Sequence, residues 1–168
     1  MRILLVMAQS LDGKIARDSM DPIDWTEPED KGHFAELTRK IGLVLMGSRT
    51  FERMGKALAG RKNIVLTHSP EKKPPSTEDL LFTDLPIPGL IRKLEDEGYS
   101  ELALMGGREV NGAFARLNLI DEIYLTLSPL LFGKGLSLFP EDIAMELTLL
   151  SVRPLGKNSL LLHYAVEK

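Results

Sequence analysis

The chain alternates between short apolar runs and amphipathic segments, and this alternation limits the possible folds more than any single motif does. Residues 2–8 (RILLVMA) are continuously apolar, as in a strand that is buried on both faces. Similar runs at 43–46, 63–67, 80–83 and 101–105 are separated by segments with helical spacing. This order predicts an α/β protein with a three-layer arrangement and a mostly parallel central sheet.

After residue 127 the pattern changes to strands alone. The runs 146–153 and 159–166, joined near Gly156, predict antiparallel strands at the C-terminus. The chain has 168 residues, of which 43% are apolar, so we expect a single domain that spans residues 1–168.

Composition excludes several classes of function. A net charge of −3 gives no electrostatic footprint for nucleic acid or an anionic membrane. The chain has no cysteine, which excludes thiolate metal sites and cysteine nucleophiles and fits a cytoplasmic protein. The three histidines lack metal-ligand spacing, so we expect no metal site.

Asp30 is out of place for a residue of a regular amphipathic helix. Residues 26–29 (TEPE) predict a capping box that begins the helix at Thr26, and Phe34 repeats with two later apolar residues at helical spacing. Asp30 falls on the same apolar face. A buried carboxylate requires a polar partner, so Asp30 either binds a donor-rich heterocycle or pairs with a structural group of the protein.

Two turns between a strand and a helix could bind the phosphates of a cofactor. Gly47 ends one apolar run and is followed by Ser48-Arg49-Thr50, while Gly106-Gly107 ends another before a helix. Glycines allow a ligand to approach the backbone closely, and helix N-termini bind phosphate. Together the two turns predict a dinucleotide laid across the carboxyl edge of the sheet.

Several stretches resemble dihydrofolate reductase. They are Trp25-x-x-Pro28-x-Asp30-x-x-x-Phe34, then Met46-Gly47-x-x-Thr50-Phe51-Glu52-x-Met54-Gly55, and then Gly60-Arg61-Lys62-Asn63. The spacing matches without a gap from Trp25 to Pro70, and Ala8, Gly106-Gly107 and residues 123–126 extend the likeness.

The resemblance implies a role for each matching position. Asp30 would bind the pterin ring and promote its protonation, Thr126 would support this acid, and Arg61 would clamp the glutamate α-carboxylate. The implied substrate contacts are Ala8, Trp25, Asp30, Phe34, Met54, Arg61 and Thr126. The implied contacts of NADPH are Ala8, Ile15, Gly47, Ser48, Arg49, Thr50, Thr67, His68, Gly106, Gly107, Arg108, Glu109 and Val110.

Other stretches, at residues 10–16, 119–122 and 128–135, are similar to the pyrimidine reductase of riboflavin synthesis. The run Phe51-Glu52-Arg53-Met54-Gly55 favours the folate enzyme. Three positions depart from the dihydrofolate reductase pattern: Ser48 and Glu109 replace basic residues, and Asn111 replaces an aromatic one. The first two leave open whether NADPH or NADH is used, unless Arg49, His68 or Arg108 binds the 2′-phosphate.

We therefore expect an NADPH-dependent reductase of a nitrogen heterocycle that converts dihydrofolate to tetrahydrofolate. The alternative is 5-amino-6-(5-phosphoribosylamino)uracil reductase of riboflavin biosynthesis, and a third hypothesis is a non-catalytic homologue that binds a nucleotide. The apolar loop 130–139 (LLFGKGLSLF) suggests an interface, so a homodimer is also expected.

Overall fold

The computed structural model describes residues 1–168, which form one eight-stranded sheet with helices on both faces and a separate two-stranded ribbon. The strands are β1 (Arg2–Ser10), β2 (Lys14–Ala16), β3 (Leu43–Gly47), β4 (Lys62–Leu66), β5 (Leu80–Thr83), β6 (Glu101–Leu104), β7 (Glu122–Ser128), β8 (Leu136–Ser137), β9 (Leu147–Leu155) and β10 (Ser159–Val166). The helices are α1 (Pro28–Ile41), α2 (Ser48–Met54), α3 (Ile87–Asp96) and α4 (Arg108–Arg116).

The order of the strands in the large sheet is β5-β4-β3-β6-β1-β7-β10-β9. Strands β1 and β3 to β7 pair in parallel, and β10 pairs antiparallel with both of its neighbours. The predicted α/β class and mostly parallel sheet are therefore confirmed. The hairpin is also confirmed, although only β10 runs against the other strands, because β9 reverses once more.

Two apolar clusters fill the space on either side of the sheet. One contains Val44, Met46 and Val65 and is covered by Phe34 of α1 and Met54 of α2. The other is larger and is covered by the apolar sides of α3 and α4. The central strands are apolar without alternation because both of their faces are buried.

Two local predictions were wrong. Helix α1 begins at Pro28, with Glu27 at the N-cap position and no side-chain cap, so Thr26 does not form a capping box. The loop 130–139 contains β8, which pairs with β2, and its side chains Leu138 and Phe139 pack against the core. Because only Leu131 of that loop is a largely exposed apolar residue, the loop gives little support to a homodimer, which stays a prediction.

Buried Asn63 fixes the loop that precedes β4. Its Nδ2 group donates to the carbonyl oxygens of Leu58, Arg61 and Asp79 at 3.0, 2.8 and 3.2 Å, and its Oδ1 accepts from the Leu58 amide at 2.9 Å. One side chain thus satisfies backbone groups on both sides of Arg61 and sets the course of the loop.

No helix of this chain combines the length and the apolar character that a membrane span requires.

We expect Asn63→Leu to lower the free energy of unfolding by about 2 kcal/mol or more, because it leaves buried backbone groups without partners. Urea denaturation at pH 7 measures this change. Asn158→Ala is the control, since the Asn158 side chain is exposed, and it should have an effect of less than about 0.5 kcal/mol. Equal effects of the two variants would contradict the role given to Asn63.

Candidate active site

The carboxyl ends of the parallel strands open into a cleft of about 600 Å³, a volume suited to a small ligand or cofactor. Both predicted strand-to-helix turns meet there. Its lining includes eleven residues predicted for the cofactor: Ile15, Gly47, Ser48, Arg49, Thr50, Thr67, His68, Gly107, Arg108, Glu109 and Val110. Ala8 and Gly106 do not line it.

The two turns touch each other at the base of this cleft. The Gly47 amide donates to the Gly106 carbonyl oxygen at 2.9 Å. A Cβ atom on Gly47 would lie only 3.0 Å from Cγ2 of Val110, which is too close for an ordinary contact. Gly106, with a φ of +82°, occupies the left-handed region that favours glycine and is buried beneath the turn. Gly106 is thus buried behind the lining, and the cofactor contacts expected of Ala8 and Gly106 stay predictions.

Nine further residues line the cleft and were not predicted from the sequence. They are Arg53, Leu66, Thr83, Asp84, Leu85, Pro86, Ile87, Ala113 and Leu136. Arg53 lies one helical turn after Arg49 on α2, so its position on the same side could have been inferred from spacing. The turn after β5 has no glycine, and only the sheet order shows that it reaches the same edge.

Several basic side chains lie along the cleft. Arg49, Arg53, His68 and Arg108 line it, against the carboxylates of Asp84 and Glu109. The Nε atoms of Arg53 and Arg108 are buried and have no hydrogen-bond partner, and Arg108 reaches Glu109 only at 3.8 Å. Buried guanidinium donors without an acceptor suit an anionic ligand such as a phosphate.

Asp30 lies in the first turn of α1, and its residue surface is only 9% exposed. Burial raises the pKa of Asp30 above its ordinary value, while the nearby hydroxyl groups of Thr126 and Thr26 act in the opposite direction. The carboxylate is therefore largely shielded from water, in agreement with its predicted place on the apolar face of the helix. A carboxyl group with a raised pKa keeps its proton to a higher pH than an ordinary aspartic acid does, which suits it to donating or sharing a proton.

The strand pairing brings together three of the residues predicted to contact substrate. Ala8 on β1 is directly opposite Thr126 on β7, and Asp30 lies close to Thr126. Trp25 stands just before α1, with its ring edge against Phe132 at a centroid distance of 5.2 Å. Its indole Nε1 is buried and has no partner, so it is a donor available to a ligand or a water molecule.

Phe34 and Met54 are partly buried and pack against the same apolar cluster, on the side of the sheet that carries Asp30. Arg61, which directly precedes β4, is buried against the C-terminal half of α1. Its Nη1 donates to Thr38 Oγ1 at 2.7 Å, and its Nε donates to the Ala59 carbonyl oxygen at 3.0 Å. It makes no ion pair with an acidic residue. Burial, together with the charge of Arg39, lowers the pKa of Arg61, so the site favours an added anion.

No group of three or more His, Cys, Asp or Glu side chains is arranged to hold a metal ion.

Comparisons with known proteins identify relatives of this chain. The family model of the RibD C-terminal domain matches residues 2–161. Dihydrofolate reductase type 3 of Salmonella typhimurium is 32% identical over 127 residues, which cover 75% of this chain and 71% of the relative. The uncharacterized protein YwjB of Bacillus subtilis (strain 168) is 28% identical over 148 residues and 83% of each chain.

Solved structures show the same fold. A putative riboflavin biosynthesis protein from Shewanella sp. PV-4 superposes with a TM-score of 0.85 at 23% identity, and the match covers 100% of both chains. RibD of Acinetobacter baumannii gives a TM-score of 0.85 at 19% identity, covering 99% of this chain and 58% of the longer one.

The family match extends over nearly the whole chain, and the curated relatives include dihydrofolate reductases. The chain therefore belongs to the RibD C-terminal domain family and is an oxidoreductase of the reductase class.

Proposed function

We propose that the protein is an NADPH-dependent reductase of a nitrogen heterocycle, and that it converts dihydrofolate to tetrahydrofolate. The observation that carries this proposal is the buried carboxylate of Asp30, which has a raised pKa and lies beside Thr126. Protonating an imine-like nitrogen requires an acid of this kind, held in an environment that excludes water.

The cleft fits a dinucleotide with phosphates. Its glycine turns allow close approach of a ligand to the backbone, and Arg53 and Arg108 carry buried donors without acceptors. In this proposal Arg49, Arg53, His68 and Arg108 hold the phosphates, including the 2′-phosphate that distinguishes NADPH from NADH. When bound, the cofactor would supply a hydride.

The residues of the chain would position the substrate and control one proton. Asp30 would bind two N–H groups of the heterocycle and favour its protonated form, with Thr126 supporting the carboxylate. Trp25 Nε1, buried and without a partner in the chain, offers a further donor just before α1. Phe34 and Met54 would form the apolar walls, so that the ring is held in a dry environment.

The far end of the substrate would be anionic. Arg61 is a buried cation without an acidic partner, and its neighbour Arg39 adds positive charge. The remaining guanidinium donors of Arg61 could bind a carboxylate, such as the α-carboxylate of a glutamate tail.

A second candidate is the reduction of 5-amino-6-(5-phosphoribosylamino)uracil. The match to the RibD C-terminal domain favours it, and the buried cation Arg61 would then face a phosphate. The two candidates share the hydride donor and differ in the substrate ring and its anionic tail.

We expect the purified protein to oxidise NADPH when dihydrofolate is added, as followed by loss of absorbance at the reduced-nicotinamide band. The riboflavin precursor, tested in parallel, should give a much slower rate. NADH should be used with at least about tenfold lower kcat/KM, because it lacks the phosphate that the cationic cleft would bind. A rate only with the riboflavin precursor would replace the first candidate by the second.

Asp30→Asn should lower kcat by about a hundredfold or more, because the amide cannot supply the proton. In the wild type, turnover should fall as pH rises through the raised pKa of Asp30, and the variant should lack this step. Full activity of the variant at pH 7 would contradict the role given to Asp30.

The same variant has a stability readout. Because the pKa of Asp30 is raised in the folded chain, the folded state binds the proton more tightly than the unfolded state does. Stability contributed by this group is thus lost as pH rises from the ordinary Asp range through the raised pKa. Asp30→Asn should melt at a higher temperature than wild type at pH 7, with the gain disappearing at acidic pH. Lower stability at pH 7 would show that the loss of activity reflects damage to the fold.

Arg61→Met should raise KM for dihydrofolate by about tenfold or more and leave KM for NADPH unchanged, since a charge-assisted contact to the tail is lost. A dihydropterin without the glutamate tail serves as the control substrate. Its KM should be the same in both proteins, whereas an equal loss with both substrates would place Arg61 in a purely structural role.

A further inference from the structure

We infer that the hairpin of β9 and β10 positions the carboxylate of Asp30 by holding α1 on both sides of it. This inference rests on the proposed function, in which Asp30 is the proton-controlling residue. The two points of contact on α1 are Glu27 and His33, which lie three residues before and three residues after Asp30.

The first contact joins the start of α1 to the start of β10. Ser159 Oγ donates to Glu27 Oε2 at 2.6 Å, and the Asn158 amide donates to the same oxygen at 3.2 Å. Ser159 is almost completely buried. The hydrogen bond from Ser159 lowers the pKa of Glu27, so the carboxylate is ionised at neutral pH and its bonds to the hairpin are charge-assisted.

The turn of the hairpin lies against the same end of the helix. Gly156 has a φ of +71°, and a Cβ atom there would lie 2.8 Å from Glu29 Oε2 and 3.1 Å from Glu27 Oε2. A side chain at position 156 would therefore displace these carboxylates from their present contacts or move the turn. Glycine allows the hairpin backbone to approach the two carboxylates that flank Pro28.

The second contact lies one helical turn beyond Asp30. The Arg153 Nη2 atom on β9 is 3.3 Å from His33 Nδ1. Because a guanidinium group only donates, Nδ1 is the acceptor, and the imidazole is then neutral with its proton on Nε2. Burial and the charge of Arg153 lower the pKa of His33, against the opposing charges of Asp30 and Glu36.

These contacts act on Asp30 through the backbone. The amides of Asp30 and Lys31 both donate to the Glu27 carbonyl oxygen, at 3.1 and 3.4 Å, so a shift of Glu27 would move the whole first turn. Strand β10 also pairs with β7, where Leu161 lies opposite Thr126. One strand thus fixes both the helix that carries Asp30 and the strand that carries its hydroxyl neighbour.

The test compares Glu27→Ala with Glu27→Gln, which keeps an oxygen that can accept from Ser159. Hydrogen exchange of the Asp30 and Lys31 amides should be about tenfold faster in Glu27→Ala and close to wild type in Glu27→Gln. Unchanged exchange in Glu27→Ala would overturn the inference. Equal exchange in the two variants, both faster than wild type, would also overturn it, because the charge alone would then be responsible.

Turnover shows whether this contact matters for the reaction. Glu27→Ala should lower kcat by about tenfold with KM for NADPH unchanged, and it should cause no further loss in an Asp30→Asn background. A loss of the same size in both backgrounds would show that Glu27 does not act through Asp30. If Asp30→Asn itself left turnover unchanged, the proposed function would fail, and the exchange data would still report on the contact between the hairpin and α1.

Discussion

Burial of the Asp30 carboxylate is the constraint on which the structure around α1 depends. A carboxylate inside a fold costs free energy unless donors surround it, and here burial raises its pKa despite two hydroxyl neighbours. The protein keeps this unfavourable group on a helix whose following turns, through Phe34, pack against an apolar cluster. Packing elsewhere in the fold offsets this unfavourable free energy, as is common at functional sites.

The cleft at the carboxyl ends of the strands depends on open space instead of close packing. There the chain must leave space, and it does so where the strands end. The contact of Gly47 with Val110 and the positive φ of Gly106 show how closely the two turns approach each other. Arg53 and Arg108 line this cleft and carry buried Nε donors without acceptors in the chain, a feature that suits an anionic ligand. Ala8 on β1 lies opposite Thr126 on β7, the strand residue beside Asp30.

Much of this fold was predictable because its signals are local. Buried parallel strands are apolar throughout, and the predicted strand-to-helix turn at Gly47 agrees with the junction between β3 and α2. The failures depended on contacts between distant parts of the chain. Glu27 occupies the N-cap position and is hydrogen-bonded to Ser159, 132 residues away, and the predicted capping box at Thr26 does not form. Strand β8 exists because it pairs with β2, and such pairing is not visible in a two-residue segment.

The candidate site divides along the same line. Residues on the strand ends and on α1 were predicted because resemblance and spacing both mark them, whereas Asp84 and its neighbours were missed because only the sheet order brings them to the cleft. Arg61 shows what spacing cannot supply. Its sequence neighbours suggest an exposed turn, yet it is buried between Thr38 and the Ala59 carbonyl, with no acidic partner. Since hydroxyl and carbonyl groups leave its charge uncompensated, the anionic substrate tail of the proposed function would supply the missing counter-charge.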